Sequence, residues 1–251
     1  MTSKQDKIAI ITGVSNQKGI GAAICRKLAS QGLDVFFTYW NSESGWSDIF
    51  QSEISEMGVR CEGLEIDLSK IDSPFFLFDE VSKKLGFPSI LINNAAHSVD
   101  SGYMDLDAKT LDEHYNVNVR ATCLLSVEFA RHFQKKDKMW GRIINLTSGQ
   151  ELGAMPGNLA YVATKGAISS FTLSLSAELA HLGITVNAVN PGPTDSNWMT
   201  DDIRKHLLPK FLMGRIGQPE DAARIIAFLA SEDANWITGQ VIHSEGGFYR
   251  S

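Results

Sequence analysis

The sequence predicts an α/β fold: one domain over residues 1–251, a Rossmann-type doubly wound parallel sheet of about seven strands with helices on both faces. Three observations predict it. Short β-branched runs alternate with helix-length stretches along the whole chain. The candidate strands, RIINL and ILIN among them, are apolar throughout, as strands covered on both faces are. A glycine-bearing turn follows the first strand directly.

Residues 7–12 (KIAIIT) read as the first strand. Residues 19–31 read as a helix, with Ile20, Ala23, Ile24 and Leu28 at helical spacing and Gly32 as the stop. Residues 34–39 (DVFFTY) are the second strand. Further strands are expected at 59–66, 89–93, 142–147, 185–189 and 240–243, with helices at 44–57, 72–85, 108–136, 157–181 and 219–231. Residues 195–215 read as a lid, with Trp198, Met199, Leu207 and Leu208 as pocket candidates. No composition break or internal repeat divides the chain.

Composition excludes several function classes. The chain has 251 residues, 43% hydrophobic and 21% charged, with net charge −6. That balance argues against a nucleic-acid partner, which needs a basic face. No apolar run approaches the roughly 18–20 residues of a membrane helix, and the N-terminal segment lacks the apolar core of a secretory signal. Cys25, Cys61 and Cys123 are far apart with no CxxC pair, so neither a disulfide framework nor a metal site is expected. Three thiols fit a reducing, cytoplasmic setting. His97 has no second histidine at ligand spacing and reads as a loop residue. His243 and Glu245 read as structural or subunit contacts.

The turn after the first strand, TGVSNQKGIG, contains Gly13, Ser15, Lys18, Gly19, Ile20 and Gly21. Gly13 permits a sharp exit, Gly19 lets backbone approach a pyrophosphate, and Gly21 lets helix pack on strand. The following helix N-terminus offers unpaired N–H groups to an anion. A carboxylate at the end of the second strand would grip a ribose 2′-hydroxyl and repel a 2′-phosphate. That zone holds Tyr39, Trp40 and Asn41 instead, and Lys18 stands just before Gly19. The cofactor expected is therefore NADP(H) rather than NAD(H).

Among the five tyrosines, Tyr161 has a lysine four residues on, Lys165. At that spacing both side chains share a helix face. Phenol titrates near ~10, and a neighbouring ammonium is expected to lower that value into useful acid/base range. Ser148 ends the 142–147 strand, on the side where such sheets bind ligands. Its hydroxyl could hold a substrate oxygen.

With these residues in place the chain resembles the short-chain dehydrogenase/reductase family, and within it the bacterial 3-oxoacyl-[acyl-carrier-protein] reductases. The resemblance covers essentially the whole chain. It rests on the glycine loop, Asp67-Leu68 after the third strand, Asn93-Asn94-Ala95-Ala96 after the fourth, and Asn118 in NVNVRA. It continues through Ser148 in GRIINLTSG, Tyr161 and Lys165 in YVATKGAI, Pro191-Gly192 in ITVNAVNPG, and the tail from GRIGQPEDAARIIAFLAS to HSEGG. The resemblance implies that Tyr161 is the acid/base, Lys165 its partner and a ribose ligand, Ser148 the oxygen-orienting group, and Asn118 the holder of a relay water. It also implies that Asp67 and Leu68 meet adenine, that Asn94 and Ala95 meet the ribose region, and that the loop from Pro191-Gly192 to Thr194 and Ser196 places the nicotinamide carboxamide. A homotetramer is implied as well.

Two departures stand out. Five residues separate Gly13 from Gly19 where the family commonly has three, as in the enoyl-reductase branch. That branch separates its tyrosine and lysine by six residues. Three separate them here, which favours a carbonyl reductase. Carrier-protein reductases also carry docking arginines before the serine strand and after the lysine. The corresponding positions here are Met139 and Ala177, with Lys135, Lys136 and Lys138 nearby. The expected function is reduction of a 3-oxoacyl-carrier-protein or 3-oxoacyl-CoA. The alternatives are a reductase of small free ketones and, in a different class, a catalytically silent nucleotide sensor.

Overall fold

The computed structural model describes residues 7–135 and 140–250. Met139, Lys136, Lys138 and the Lys135 side chain lie outside the described residues. Seven strands form one sheet: β1 (Ile8–Ile11), β2 (Asp34–Tyr39), β3 (Cys61–Glu65), β4 (Ile90–Asn93), β5 (Gly141–Leu146), β6 (Ile184–Asn190) and β7 (Val241–His243). Their order is β3-β2-β1-β4-β5-β6-β7, and every pairing is parallel.

Among the described residues eight α-helices connect them: α1 (Ile20–Ala29), α2 (Trp46–Ser55), α3 (Ser73–Lys84), α4 (Ala108–His114), α5 (Thr122–Lys135), α6 (Leu159–Leu179), α7 (Asp201–Leu207) and α8 (Pro219–Leu229). The wholly apolar strands are explained by what covers them. Ala9 and Ile11 of β1 join a core with α1, α2 and α8, while Ile8 and Ile10 join another with α3, α5 and α6. Side chains alternate across the sheet and both faces are covered. Phe36, Phe37, Phe50, Phe78, Phe129 and Phe133 are fully buried, each contributing roughly 1.5–3 kcal/mol by leaving water.

The helix expected over 108–136 is not one regular helix. Between α4 and α5, residues Tyr115–Ala121 take a π-helical turn. Such a turn holds one more residue than an α turn and so rotates the side chains it carries. Asn118 lies in it and is buried. Helical periodicity cannot show the interruption, because both flanks keep the same apolar face.

The chain order reverses between β1 and β4. Dinucleotide-binding sheets take their ligand at such a switch point, beyond the strands' carboxyl ends.

Candidate active site

At the switch point β1 and β4 leave the sheet in near contact. Gly13 has φ +74°, and a Cβ there would stand 2.6 Å from the Ala95 Cα. Gly21, in the first turn of α1, faces the Asn94 amide and the Gly13 carbonyl, each 2.9 Å from where its Cβ would be. The two glycines thus close strand, loop and helix on one another, as expected. Thr12 completes the joint: its hydroxyl oxygen accepts from the Asn94 and Ala95 N–H groups at 3.0 Å. The Asn94 amide nitrogen donates to the Thr12 and Gly13 carbonyls at 2.8 and 3.0 Å. Its amide protons therefore tie β4 to β1, at the place where the resemblance implies a ribose contact.

The start of α1 is open to an anion, as are the uncapped starts of α3 and α6. No side chain caps it and no acidic residue lies in its first turn. Helices α4, α7 and α8, by contrast, receive side-chain caps from Asp107, Thr200 and Gln218. Unpaired N–H groups and the helix dipole at α1 fit a dinucleotide's pyrophosphate. The loop is propped from outside by the Trp46 indole N–H, which donates to the Val14 carbonyl at 2.9 Å. Ser15 and the end of β2 lie together, with the Trp40 N–H donating to the Ser15 hydroxyl at 3.2 Å. Tyr39, Trp40 and Asn41 supply no carboxylate there, and Asp34 sits at the far end of β2, bound to Arg60.

Lys18 lies on the lid side instead. It lines a cavity of about 320 Å³ with Gly19, Asp195, Asn197 and Arg204. An ion pair between Asp195 and Arg204, at 2.7 Å, links the lid to this cavity. The Arg204 hydrogen bond holds the Asp195 carboxyl below its usual value, and Lys18 adds to the effect. Asp67 follows β3. Its carboxylate accepts from the Ser69 N–H at 2.9 Å and stands 3.6 Å from the Lys70 ammonium. Partial burial opposes its charge, but those partners outweigh it and keep the carboxyl ionised. Leu68 beside it is buried.

The loop after β6 follows a similar logic. The Gly192 N–H donates to Asn190 Oδ1 at 2.9 Å, and the Thr194 hydroxyl donates to the Pro191 and Gly192 carbonyls at 3.2 Å. The Trp198 indole N–H donates to the Thr194 carbonyl at 2.7 Å, and the Ser196 N–H to the same carbonyl at 2.9 Å. Of the lid residues, Met199 is buried, whereas Trp198 and Leu208 are about half exposed.

The expected catalytic residues converge on the first turns of α6. Ser101 fixes where that helix begins: its hydroxyl accepts from the Ala160 N–H and its carbonyl from the Leu159 N–H. Tyr161 and Lys165 then share a face, with the Lys165 Nζ 5.5 Å from the centre of the Tyr161 ring. Lys165 is buried and donates to the Leu146 carbonyl at the end of β5, at 2.8 Å. Ser148 follows that strand; its hydroxyl stands 4.0 Å from Met155 Sδ and near enough to the Tyr161 phenol to lower its value. Asn118 joins from the π turn. Its amide nitrogen donates to the Thr164 hydroxyl at 3.0 Å and the His97 carbonyl at 2.9 Å.

The electrostatics differ from the sequence expectation in one respect. Burial raises the Tyr161 phenol above its ordinary value, against the lowering effect of the nearby Ser148 hydroxyl. Burial also brings the Lys165 ammonium down to about 8. The expected lowering of Tyr161 by a neighbouring charge is not found. Desolvation acts on both groups, and the ammonium is engaged by a carbonyl, not by the phenol oxygen.

Sequence reasoning missed His97 as a backbone partner of Asn118, Ser101 as the anchor of α6, and the tail residue Arg250, which reaches the loop after Ser148. Their partners are distant in sequence, so no spacing announces them.

Comparison with known proteins places the site in a lineage. Residues 13–249 match the model of a family described as enoyl-(acyl carrier protein) reductase. The chain is 67% identical over 250 residues to "uncharacterized oxidoreductase YjdA" of Bacillus subtilis (strain 168), covering all of both chains. It is 33% identical to the 3-oxoacyl-[acyl-carrier-protein] reductase FabG of Aquifex aeolicus (strain VF5), covering 98% of each. The solved acetoin dehydrogenase YohF from Salmonella typhimurium superposes with a TM-score of 0.86 at 33% identity, over 97% of this chain and 96% of that one. The chain belongs to the short-chain dehydrogenase/reductase family, whose members are nicotinamide-dependent oxidoreductases.

Proposed function

We propose that this protein is an NADP(H)-dependent oxidoreductase that interconverts a carbonyl and a secondary alcohol, with a 3-oxoacyl thioester as its substrate class. The carrying observation is the convergence of Asn118, Ser148, Tyr161 and Lys165 beside the dinucleotide crevice. A bound nicotinamide supplies the hydride; the rest falls to the protein. The Ser148 hydroxyl donates to the carbonyl oxygen and fixes its position. Tyr161, kept in its acid form by burial, donates a proton to that oxygen as negative charge develops on it. The Lys165 ammonium stabilises the phenolate left behind, and Asn118 anchors the segment through which the proton is replaced.

The thioester reading is supported by the FabG relative and by the three residues between Tyr161 and Lys165. The preference for NADP(H) is supported by the absence of a carboxylate at the end of β2, among the described residues, where Ser15 and Trp40 meet. A second reading, a reductase of small free ketones, is favoured by the acetoin dehydrogenase likeness and by Ala177, which offers a carrier protein no charge. A homotetramer working in the cytoplasm completes the proposal. Apolar Leu111, Tyr115 and Leu124, exposed around α4 and α5, supply a surface for association.

The test is NADPH oxidation with acetoacetyl-CoA, crotonyl-CoA and 2,3-butanedione. Acetoacetyl-CoA is expected to be turned over best and crotonyl-CoA not at all. Turnover of crotonyl-CoA alone would make the protein an enoyl reductase. Tight NADPH binding with no oxidation across a broad ketone panel would make it a nucleotide sensor. Tighter binding of NADH than of NADPH by the wild type would overturn the cofactor choice, and Lys18→Ala measures what Lys18 contributes to it.

A further inference from the structure

The tail after β7 meets three walls of the substrate cleft. The Ser244 N–H donates to the Asn190 carbonyl at 2.8 Å, beside the nicotinamide loop. The Tyr249 N–H donates to the Lys210 carbonyl at 2.8 Å, and Phe248 packs on Phe211 with ring centres 4.9 Å apart, both on the lid. Arg250 crosses to the third wall. A Cβ on Gly149 would fall inside its guanidinium, and one on Gly153 would stand 2.9 Å from its Cδ. Two glycines of the loop after Ser148 are therefore the floor on which this side chain rests.

Its charge is already matched. Glu245, with a side chain only 8% exposed, accepts from Nη1 at 2.7 Å and from Nη2. The Asn190 amide holds the same carboxylate at 2.7 Å. A guanidinium has five N–H groups. Two serve Glu245, which leaves three, and no hydrogen bond among the described residues uses them. Nη2 and Nε, which carry two of them, lie nearest Gly149, the residue that follows the hydroxyl assigned to the carbonyl oxygen.

We infer that Arg250 is a specificity-determining residue, donating hydrogen bonds to a second oxygen of the substrate, on the carbon next to the reacting carbonyl or the one beyond. This rests on the carbonyl-reductase reading and deepens it. Because the Glu245 carboxylate balances the guanidinium, the second group is a neutral carbonyl or hydroxyl. A carboxylate would set a second negative charge beside the buried Glu245 carboxylate with no further cation to balance it. Both 3-oxoacyl thioesters and 1,2-diketones meet this requirement; simple ketones do not.

The experiment compares kcat/KM for 2,3-butanedione with that for 2-butanone, and for ethyl acetoacetate with that for 2-pentanone, in wild type, Arg250→Ala and Arg250→Lys. Taking the change of ratio on mutation cancels the greater intrinsic reactivity of the dioxygenated substrates. Arg250→Ala is expected to lower the ratio about tenfold, within what a hydrogen bond from a charged donor provides, and mainly through KM. Arg250→Lys is expected to recover part of it. NADPH affinity, read by fluorescence, is expected to stay within about twofold of wild type. Equal losses on both members of each pair would mean a purely structural tail and would overturn the inference while leaving the reductase intact. No turnover of any ketone by the wild type would remove the reductase reading and this inference together.

Discussion

Asn118 and His97 are locked by a two-point ring: Asn118 Oδ1 accepts from the His97 N–H at 2.7 Å, and its Nδ2 donates back to the His97 carbonyl at 2.9 Å. The ring ties the π turn to the loop leaving β4, so a buried amide sets the spacing between two walls of the site. An aspartate would keep the acceptor but lose both donated bonds, one to His97 and one to Thr164. Asn118→Asp is therefore expected to lower stability by about 1–3 kcal/mol, read by urea denaturation. It should also lower kcat more than it raises KM, because the affected groups are shared with the helix that carries Tyr161.

Removing only the Tyr161 phenol oxygen isolates the proton step. Tyr161→Phe is expected to lower kcat by about 10²–10⁴-fold, the usual contribution of a positioned acid. Dinucleotide affinity, titrated by fluorescence, should be nearly unchanged. Full turnover in this variant would reject the assignment of the acid.

The buried Lys165 gives a pH signature with opposite signs for rate and stability. Burial brings its ammonium from 10.5 down to about 8. Below that value Lys165 is charged, and above it the stabilising charge beside the phenol is lost. The kcat/KM for reduction should therefore fall as pH rises through about 8. Lys165→Arg, permanently charged, should flatten that limb at a lower plateau. Between about 8 and 10.5 the unfolded chain still holds the proton that the folded chain has released. In that window this group makes the fold more stable as pH rises. Thermal melts at pH 8 and 9.5, compared between wild type and Lys165→Met, would read its share.

Gly21→Ala tests the joint at the switch point. The new Cβ would stand 2.9 Å from both the Asn94 amide nitrogen and the Gly13 carbonyl oxygen, neither of which can retreat without breaking the strand–loop tie. A loss of about 1–3 kcal/mol is expected from the crowding, together with weaker binding of NADPH and NADH alike. A variant as stable as wild type would show that the joint relaxes.

A fifth position lies at the opposite end of the sheet. Arg142, buried at the start of β5, donates to the Ser231 and Gly141 carbonyls at 3.2 and 2.9 Å and to the Asn235 amide, and stacks on Trp140. Arg142→Leu would leave the buried Gly141 carbonyl and the part-buried Ser231 carbonyl without this donor, lowering stability by about 1–3 kcal/mol. Activity at 25 °C should be little affected, since no part of the crevice is touched.

What the sequence made legible follows from distance along the chain. The strand–turn–helix of the glycine loop, the Tyr161–Lys165 pair and Ser148 are local patterns, each readable within about ten residues. The alternation of elements gave the parallel sheet because crossover connections admit few alternatives. The π turn was hidden, since 108–136 keeps helical periodicity on both sides of it. The bracing use of Asn94, the anchoring of α6 by Ser101 and the reach of Arg250 to Gly149 join residues 59 to 101 positions apart only through the fold. Spacing likewise shows that a lysine is near Tyr161, but not that burial raises the phenol or that the Leu146 carbonyl engages the ammonium.

The π turn at Tyr115–Ala121 carries a consequence for how this lineage can change. A one-residue deletion there would let the segment relax into ordinary α-helical hydrogen bonding, which is the better-bonded geometry. The same deletion would rotate Asn118 by about a quarter-turn or more, away from His97 and Thr164. Substitution scanning would therefore understate how tightly this stretch is constrained. Its length, more than its composition, is what drift cannot alter without silencing the site, and a shortened descendant could survive as a sturdier but inert protein.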